Sequence, residues 1–265
     1  MISRQSFVAL QHRNYRLLWT GTLVSAFGDW IDQIALNWLV VQITDSPVYL
    51  GLVNLCRGLP ILVFTLIGGA MADRNERRGL MVATQGGAMI LALVLAALVY
   101  GGVVNIWLVL VIATLRGALA SVNLPARHSL ISDLVPREHL ANAIALNSIQ
   151  FNLARVLGPL LFAAILAAFT RAGYTEPNAM NACFLLNSLS FVVVINTLMM
   201  LRVKHIPPAT KSGIREELQL GLDYVRANHT LVGLIVLAAT TTFLGFAVLT
   251  RSEEHTSELQ SRGLI

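Results

Sequence analysis

Gly69-Ala-Met-Ala-Asp-Arg-Asn-Glu-Arg-Arg78 joins two long apolar runs, 48–71 and 79–100, and its reading decides the fold. One acid, Asp73, sits among Arg74, Arg77 and Arg78 in a connection too short for structure of its own. So tight a basic turn between segments of that length belongs at a membrane surface, where arginines hold a loop on the cytoplasmic side. The glycines beside it suit two helices that approach closely.

Composition agrees with that anchor. Of the 265 residues, 55% are hydrophobic and only 12% are charged. Soluble domains carry about 25% charged residues, so this chain has too little polar surface to cover a water-exposed globule. Its net charge of +5 lies in short connections rather than along one face, which argues for topology signals and against nucleic-acid binding. Cys56 and Cys183 fall inside apolar runs and suggest packing, with neither a disulfide framework nor a metal motif. The first apolar run is too long for the core of a signal peptide and reads as a retained helix.

A membrane-spanning helix needs roughly 20 apolar residues. Seven segments qualify: 17–43, 48–71, 79–100, 103–123, 140–169, 180–201 and 231–250. The fold expected is an all-α integral membrane protein. Counted on alternate sides, thirteen Lys and Arg fall with the N-terminus and only Arg171 falls opposite. That bias places the N-terminus in the cytoplasm.

Four regions follow. Residues 1–201 form a six-helix transmembrane bundle. Residues 202–230 form a cytoplasmic linker, broken by Pro207-Pro208. Within it Ile214, Leu218, Leu222 and Val225 recur at helical spacing, as in an amphipathic surface helix. Residues 231–250 are the first helix of a further half. Residues 251–265 break the pattern: Arg251-Ser-Glu-Glu-His-Thr-Ser-Glu-Leu-Gln-Ser-Arg262 is abruptly polar and resembles translated sequencing adapter, so a non-native tail on a fragment of a longer chain is expected.

Charges inside the spans are the best functional candidates, because an unpaired charge at the bilayer centre costs about 2.5–3.5 kcal/mol even on the lenient insertion scale. Asp29 and Asp32 lie three residues apart on one face of the first helix. Arg57 lies at comparable depth in the second, and Arg116 and Arg155 lie in the fourth and fifth. Burial disfavours an ionised carboxylate and a nearby arginine favours it. Asp29 or Asp32 is therefore expected to exchange protons, with Arg57 or Arg116 as its alternating partner; a static pair that only fixes packing is the rival reading. Gln33, Asn37, Trp30 and Trp38 on or near the same helix suit a cavity for flat apolar or cationic molecules. Trp19 and Trp107 suit interfacial anchoring. No nucleophile-and-base pair or His-Glu-x-x-His spacing occurs at membrane depth, so neither catalysis, metal nor cofactor is expected.

The spacing Gly69-x-x-x-Asp73-Arg74-x-x-Arg77-Arg78 resembles the loop signature between helices two and three of the major facilitator superfamily. Glu76 departs from it where that family usually has glycine, which puts the tight turn in question. In the family this loop latches the two halves in the outward-facing state, its aspartate also meeting the positive end of a helix in the second half. A plain basic loop is the alternative. Asn123 to Ala143, including Pro125, Arg127, Asp133 and Pro136, looks like the loop after helix four in the macrolide-efflux and enterobactin-exporter group. Asn152-Leu-Ala-Arg-Val-Leu-Gly-Pro159 resembles their fifth helix, which Gly158-Pro159 is expected to bend. Arg116 is similar to an arginine that the superfamily links to proton coupling, without the pattern that usually surrounds it.

The resemblance implies the six-helix first half of a major facilitator fold plus a seventh helix. It also implies proton-coupled efflux of a drug or siderophore by alternating access, from a bacterial cytoplasmic (inner) membrane. The partners implied are the lipid bilayer, a small-molecule substrate and protons. A seven-helix receptor, or a structural membrane protein without transport, is the competing expectation.

Overall fold

The computed structural model describes residues 4–202, and beyond them 223, 226–228, 230, 232–234, 237 and 240. The chain divides into two compact units, Met1–Thr210 and Lys211–Ile265. In the first, a 3-10 segment, Arg4–Gln11, leads into six long helices: α1 (Arg13–Thr44), α2 (Pro47–Arg74), α3 (Arg77–Tyr100), α4 (Ile106–Leu134), α5 (Arg137–Arg171) and α6 (Glu176–Met199). Five of them, α2 to α6, are long and apolar enough to cross a membrane. The sixth, α1, is 32 residues long and carries Asp29 and Asp32 near its middle. In the second unit the Val232 amide donates to the Asn228 carbonyl at 3.1 Å. Most of the expected linker helix and seventh span, and all of 251–265, lie outside the described residues.

The connections are short because each helix is stopped by local chemistry. Asp45 closes α1 in the left-handed region, at φ 48°. Pro47 then opens α2, where its missing N–H costs nothing. Gly102, at φ 66°, takes a conformation that side chains resist and turns the chain after α3. Asn105 caps α4, its side chain accepting from the Leu108 amide at 3.0 Å.

One boundary corrects the sequence reading. Residues 124–134 are the last turns of α4 and not a loop, and only Val135 and Pro136 separate α4 from α5. Arg127 accordingly sits inside a helix. The apolar count stopped at Asn123 because the polar residues that follow are spent on contacts with neighbouring helices. At Gly158-Pro159, helix α5 continues through the pair, and Gly158 has a packing role as well: a Cβ there would meet Trp30 Cβ at 2.5 Å.

Small residues set the other crossings too. A Cβ on Gly28 would lie 2.4 Å from Ser190 Oγ, and one on Gly21 only 2.0 Å from Thr197 Oγ1, so α1 and α6 touch closely. Between α2 and α4, added Cβ atoms would meet the Ser121 carbonyl from Gly68 and the Arg57 carbonyl from Gly117. In a bilayer, where tails are as apolar as leucine, such close van der Waals contact supplies the association that water supplies elsewhere. Gly69, the glycine of the quoted stretch, has open space where its Cβ would be. The close approach belongs to its neighbour Gly68.

The apolar core is in two parts. One, around Tyr15, Leu18, Met81, Leu130, Leu146 and Leu198, lies toward the N-terminal end of α1. The other, around Leu36, Leu39, Leu95, Val109 and Phe184, lies toward its C-terminal end. A polar belt separates them. The most apolar stretches of α2 and α5 bury only 11% and 17% of their residues, against 44% in α6. Those two helices therefore present most of their surface to lipid or to further protein.

Candidate functional site

The belt is built by four helices. Helix α1 contributes Thr22, Ser25 and Asp32, α4 contributes Arg116 and Ser121, α5 contributes Gln150, and α6 contributes Asn187, Ser188 and Ser190, all buried. Its centre is a two-point ion pair. Arg116 donates through Nη2 to Asp32 Oδ1 at 2.9 Å and through Nη1 to Asp32 Oδ2. The side chains are 8% and 1% exposed, so the pair is shut away from any solvent. Two planar groups matched in this way form charge-assisted hydrogen bonds about twice as strong as neutral ones.

Asp29 is held differently. It is half-buried and interacts electrostatically with Arg57 and Arg116 without an ion pair to either. Asn187 approaches it from α6, yet the Asn187 amide nitrogen has no hydrogen-bond partner of good geometry. Ser25 Oγ, Arg116 Nε and Gln150 Nε2 are buried without partners too. A buried polar group left unpaired costs about 1–3 kcal/mol, so the belt holds hydrogen-bonding capacity that this arrangement does not use.

Gln33 donates to Asn37 at 3.1 Å and to Asn54 of α2 at 3.3 Å, a lateral amide network beside the charges. Trp30 meets Phe151 of α5 edge-on, with ring centroids 5.7 Å apart. Trp38 departs from the expected cavity cluster. It donates to Glu176 at 3.1 Å near the C-terminal end of α1, and so fastens α1 to the start of α6. Trp19 donates to the Leu146 carbonyl at 3.2 Å, while Trp107 is exposed.

The second expected cluster also assembles. The chain turns between α2 and α3 on Asn75 and Glu76, both at negative φ. Glycine is therefore not required at position 76. Glu76 accepts from Arg78 Nε at 3.0 Å, and Arg78 Nη1 donates to the Leu201 carbonyl at 3.2 Å. Arg77 donates to Asp133 at 2.5 Å and to the Ser129 carbonyl at 3.2 Å, both in α4. Asp73 stands 3.8 Å from Arg77 and is 63% exposed.

Sequence reasoning missed Asp133 as the partner of Arg77, and Gln150 and Asn187 as belt residues. A signal existed for the latter two, since each is a carboxamide inside a long apolar run. Asp133 gave none, because pairing across helices has no local spacing. Arg155, expected with the charges, is exposed on α5. Arg127 hydrogen-bonds Asn147 at 2.8 Å and ties α4 to α5 below the belt.

Residues 4–250 match the family described as transmembrane secretion effector. The chain belongs to that family. Its members are transporters of the major facilitator superfamily, not enzymes, and this chain is a multi-pass membrane protein of that kind. Among curated relatives, the staphyloferrin A transporter of Staphylococcus aureus is 35% identical over 143 residues, 54% of this chain and 36% of that protein. An uncharacterized transporter of the superfamily from Bacillus subtilis, YfiS, is 26% identical over 83% of this chain and 51% of its own length. Macrolide efflux protein A of Streptococcus pyogenes is 22% identical over 88% and 57%. The chain thus spans about half the length of the relatives it matches.

Proposed function

We propose that this chain is the first half, with the opening of the second, of a proton-coupled exporter of a small amphipathic molecule working by alternating access. The observation that carries the reading is the contrast inside one polar belt between a locked carboxylate and a loosely held one. Asp32 has both oxygens engaged by Arg116. Asp29, on the same helix face, has no ion pair and is reached only by the longer-range charges of Arg57 and Arg116 and by Asn187. Of the two carboxylates, Asp29 is therefore the one that takes up and releases the coupling proton, and Asp32–Arg116 is the fixed post beside it. A carboxylate whose surroundings alternate between wet and closed changes its proton occupancy with the cycle. The relative named for macrolide efflux supports outward movement of a small molecule.

The loop cluster supplies the latch. Gly69 and Asp73 lie four residues apart on one face of α2, Gly69 with open space and Asp73 largely exposed, while Arg77 is already committed to α4. That face is free to receive a helix end from the other half, with the N-terminus and this loop in the cytoplasm. Arg78 braces the same turn through Glu76; Arg74, the last residue of α2, belongs to the same cluster. Arg155, Gly158 and Pro159 belong to the wall that α5 lends to the pathway.

Transport by the full-length gene product in proteoliposomes, measured against pH in Asp29→Asn and Asp32→Asn variants, tests the reading. Asp29→Asn flattens the pH dependence, and unchanged dependence in both variants refutes proton coupling through these residues. Substrate flux through the 265-residue chain alone would refute its being half of a working pathway.

A further inference from the structure

The charges of the belt share one depth. Asp29 lies 16 residues after the start of α1, Arg57 lies 17 before the end of α2, Arg116 lies 18 before the end of α4, and Arg155 lies 18 after the start of α5. At about 1.5 Å per residue, all four stand about 24–27 Å from the same end of the bundle. At that level Arg116 is consumed by Asp32, and Arg57 faces Asp29. Arg155 is left over: among the described residues it makes no ion pair or hydrogen bond, and it is exposed.

Its helix says which way it looks. The flank of α5 bearing Ile149, Leu153, Val156 and Leu160 is exposed and wholly apolar, the surface suited to lipid. Arg155 stands on a different flank, shared with Ser148 and Asn152 at helical spacing. It is one turn from Phe151, which meets Trp30, and one turn from Gly158, which also packs on Trp30. A guanidinium this deep is too far from either membrane surface to reach it, and it faces protein or a wet cavity.

We propose that Arg155 is the fixed cation that receives an anionic group of the transported molecule, and that Trp30 and Phe151 hold that molecule's apolar part. The substrate class is an amphipathic organic anion, a carboxylate or sulfonate on an aromatic or aliphatic body. A guanidinium suits this task because it stays charged throughout the cycle and offers forked donors that match a carboxylate. On this proposal Asp29 handles the proton and Arg155 the anion, so the two tasks occupy different side chains. The inference rests on the exporter reading for its direction of transport and not for its binding chemistry.

Paired xanthene dyes test it: fluorescein, an anion, and a rhodamine ester, a cation on the same ring skeleton. Binding is read by fluorescence anisotropy on the full-length protein in nanodiscs, and export from cells expressing it. Fluorescein binds more tightly than the rhodamine by about tenfold, the factor that one charge-assisted hydrogen bond supplies. Arg155→Gln weakens fluorescein binding and removes that difference, and Arg155→Lys keeps most of it. An equal or reversed preference, no binding of either dye, or a preference that survives Arg155→Gln overturns the proposal. Fluorescein bound but not exported leaves the anion site standing and counts against the exporter reading. Rhodamine both preferred and exported does the opposite.

Discussion

Two arginine–aspartate pairs of this molecule have the same chemistry and opposite circumstances. Arg116–Asp32 is sealed in the belt, its side chains 8% and 1% exposed, while Arg77–Asp133 joins α3 to α4 at the end of the bundle at 20% and 38%. Burial raises the stakes in both directions. Desolvating two charges costs several kcal/mol per ion, which only good geometry recovers, and removing one partner leaves the other stranded. At the exposed end, water stands ready to replace either partner, so the pair is worth about 0–1 kcal/mol. The buried pair therefore holds position at a high cost of disruption, whereas the exposed one ties α3 to α4 at little cost either way.

The largest effect expected is at the buried pair. Arg116→Gln destabilises the protein by about 3–5 kcal/mol in detergent unfolding, because Asp32 is left charged and alone. Adding Asp32→Asn restores more than half of that loss, and losses that simply add would show that the two side chains do not act as a pair.

Next come the glycines. Gly117→Leu forces a side chain against the Arg57 carbonyl, 2.2 Å from where its Cβ would be, and costs about 1–3 kcal/mol as overpacking does. Gly69→Ala meets open space and leaves the melting temperature unchanged or slightly raised. A cost at Gly69 as large as at Gly117 would mean that the face is already occupied.

The smallest effects belong to the exposed cluster. Arg77→Gln lowers stability by about 0.2–1 kcal/mol, and less at high salt. Asp73→Asn leaves stability within about 0.5 kcal/mol yet slows transport by the full-length protein. A large stability loss from Asp73→Asn would mark it as a structural brace and remove the latch.

How much of this was legible beforehand varied with the range of the interaction. The spans of α2 to α6 were legible because a bilayer demands length and apolarity that one segment carries by itself. So were Asp29, Asp32, Arg57 and Arg116 as a set, since charge at that depth has few explanations. The pairing within the set was not, because α1, α2 and α4 are far apart in sequence and nothing local tells Arg57 from Arg116 as the partner of Asp32. The end of α4 was misread for a related reason: residues 124–134 are polar enough to look like loop, yet Arg127 and Asp133 spend their polarity on α5 and α3. Position 76 misled through expectation of glycine, where a turn at negative φ has no such need. Gly68 and Gly69 are indistinguishable by spacing alone, and only the partner helix separates them.

The central claim is that one carboxylate of the belt is locked while its neighbour is free to titrate. Proton-driven export by the full-length protein in vesicles, compared between Asp29→Asn and the native protein across pH, addresses it most directly. The account predicts that Asp29→Asn loses gradient-driven export and its pH dependence, and keeps substrate exchange in the absence of a gradient. Gradient-driven export that persists in Asp29→Asn with its native pH dependence would contradict it.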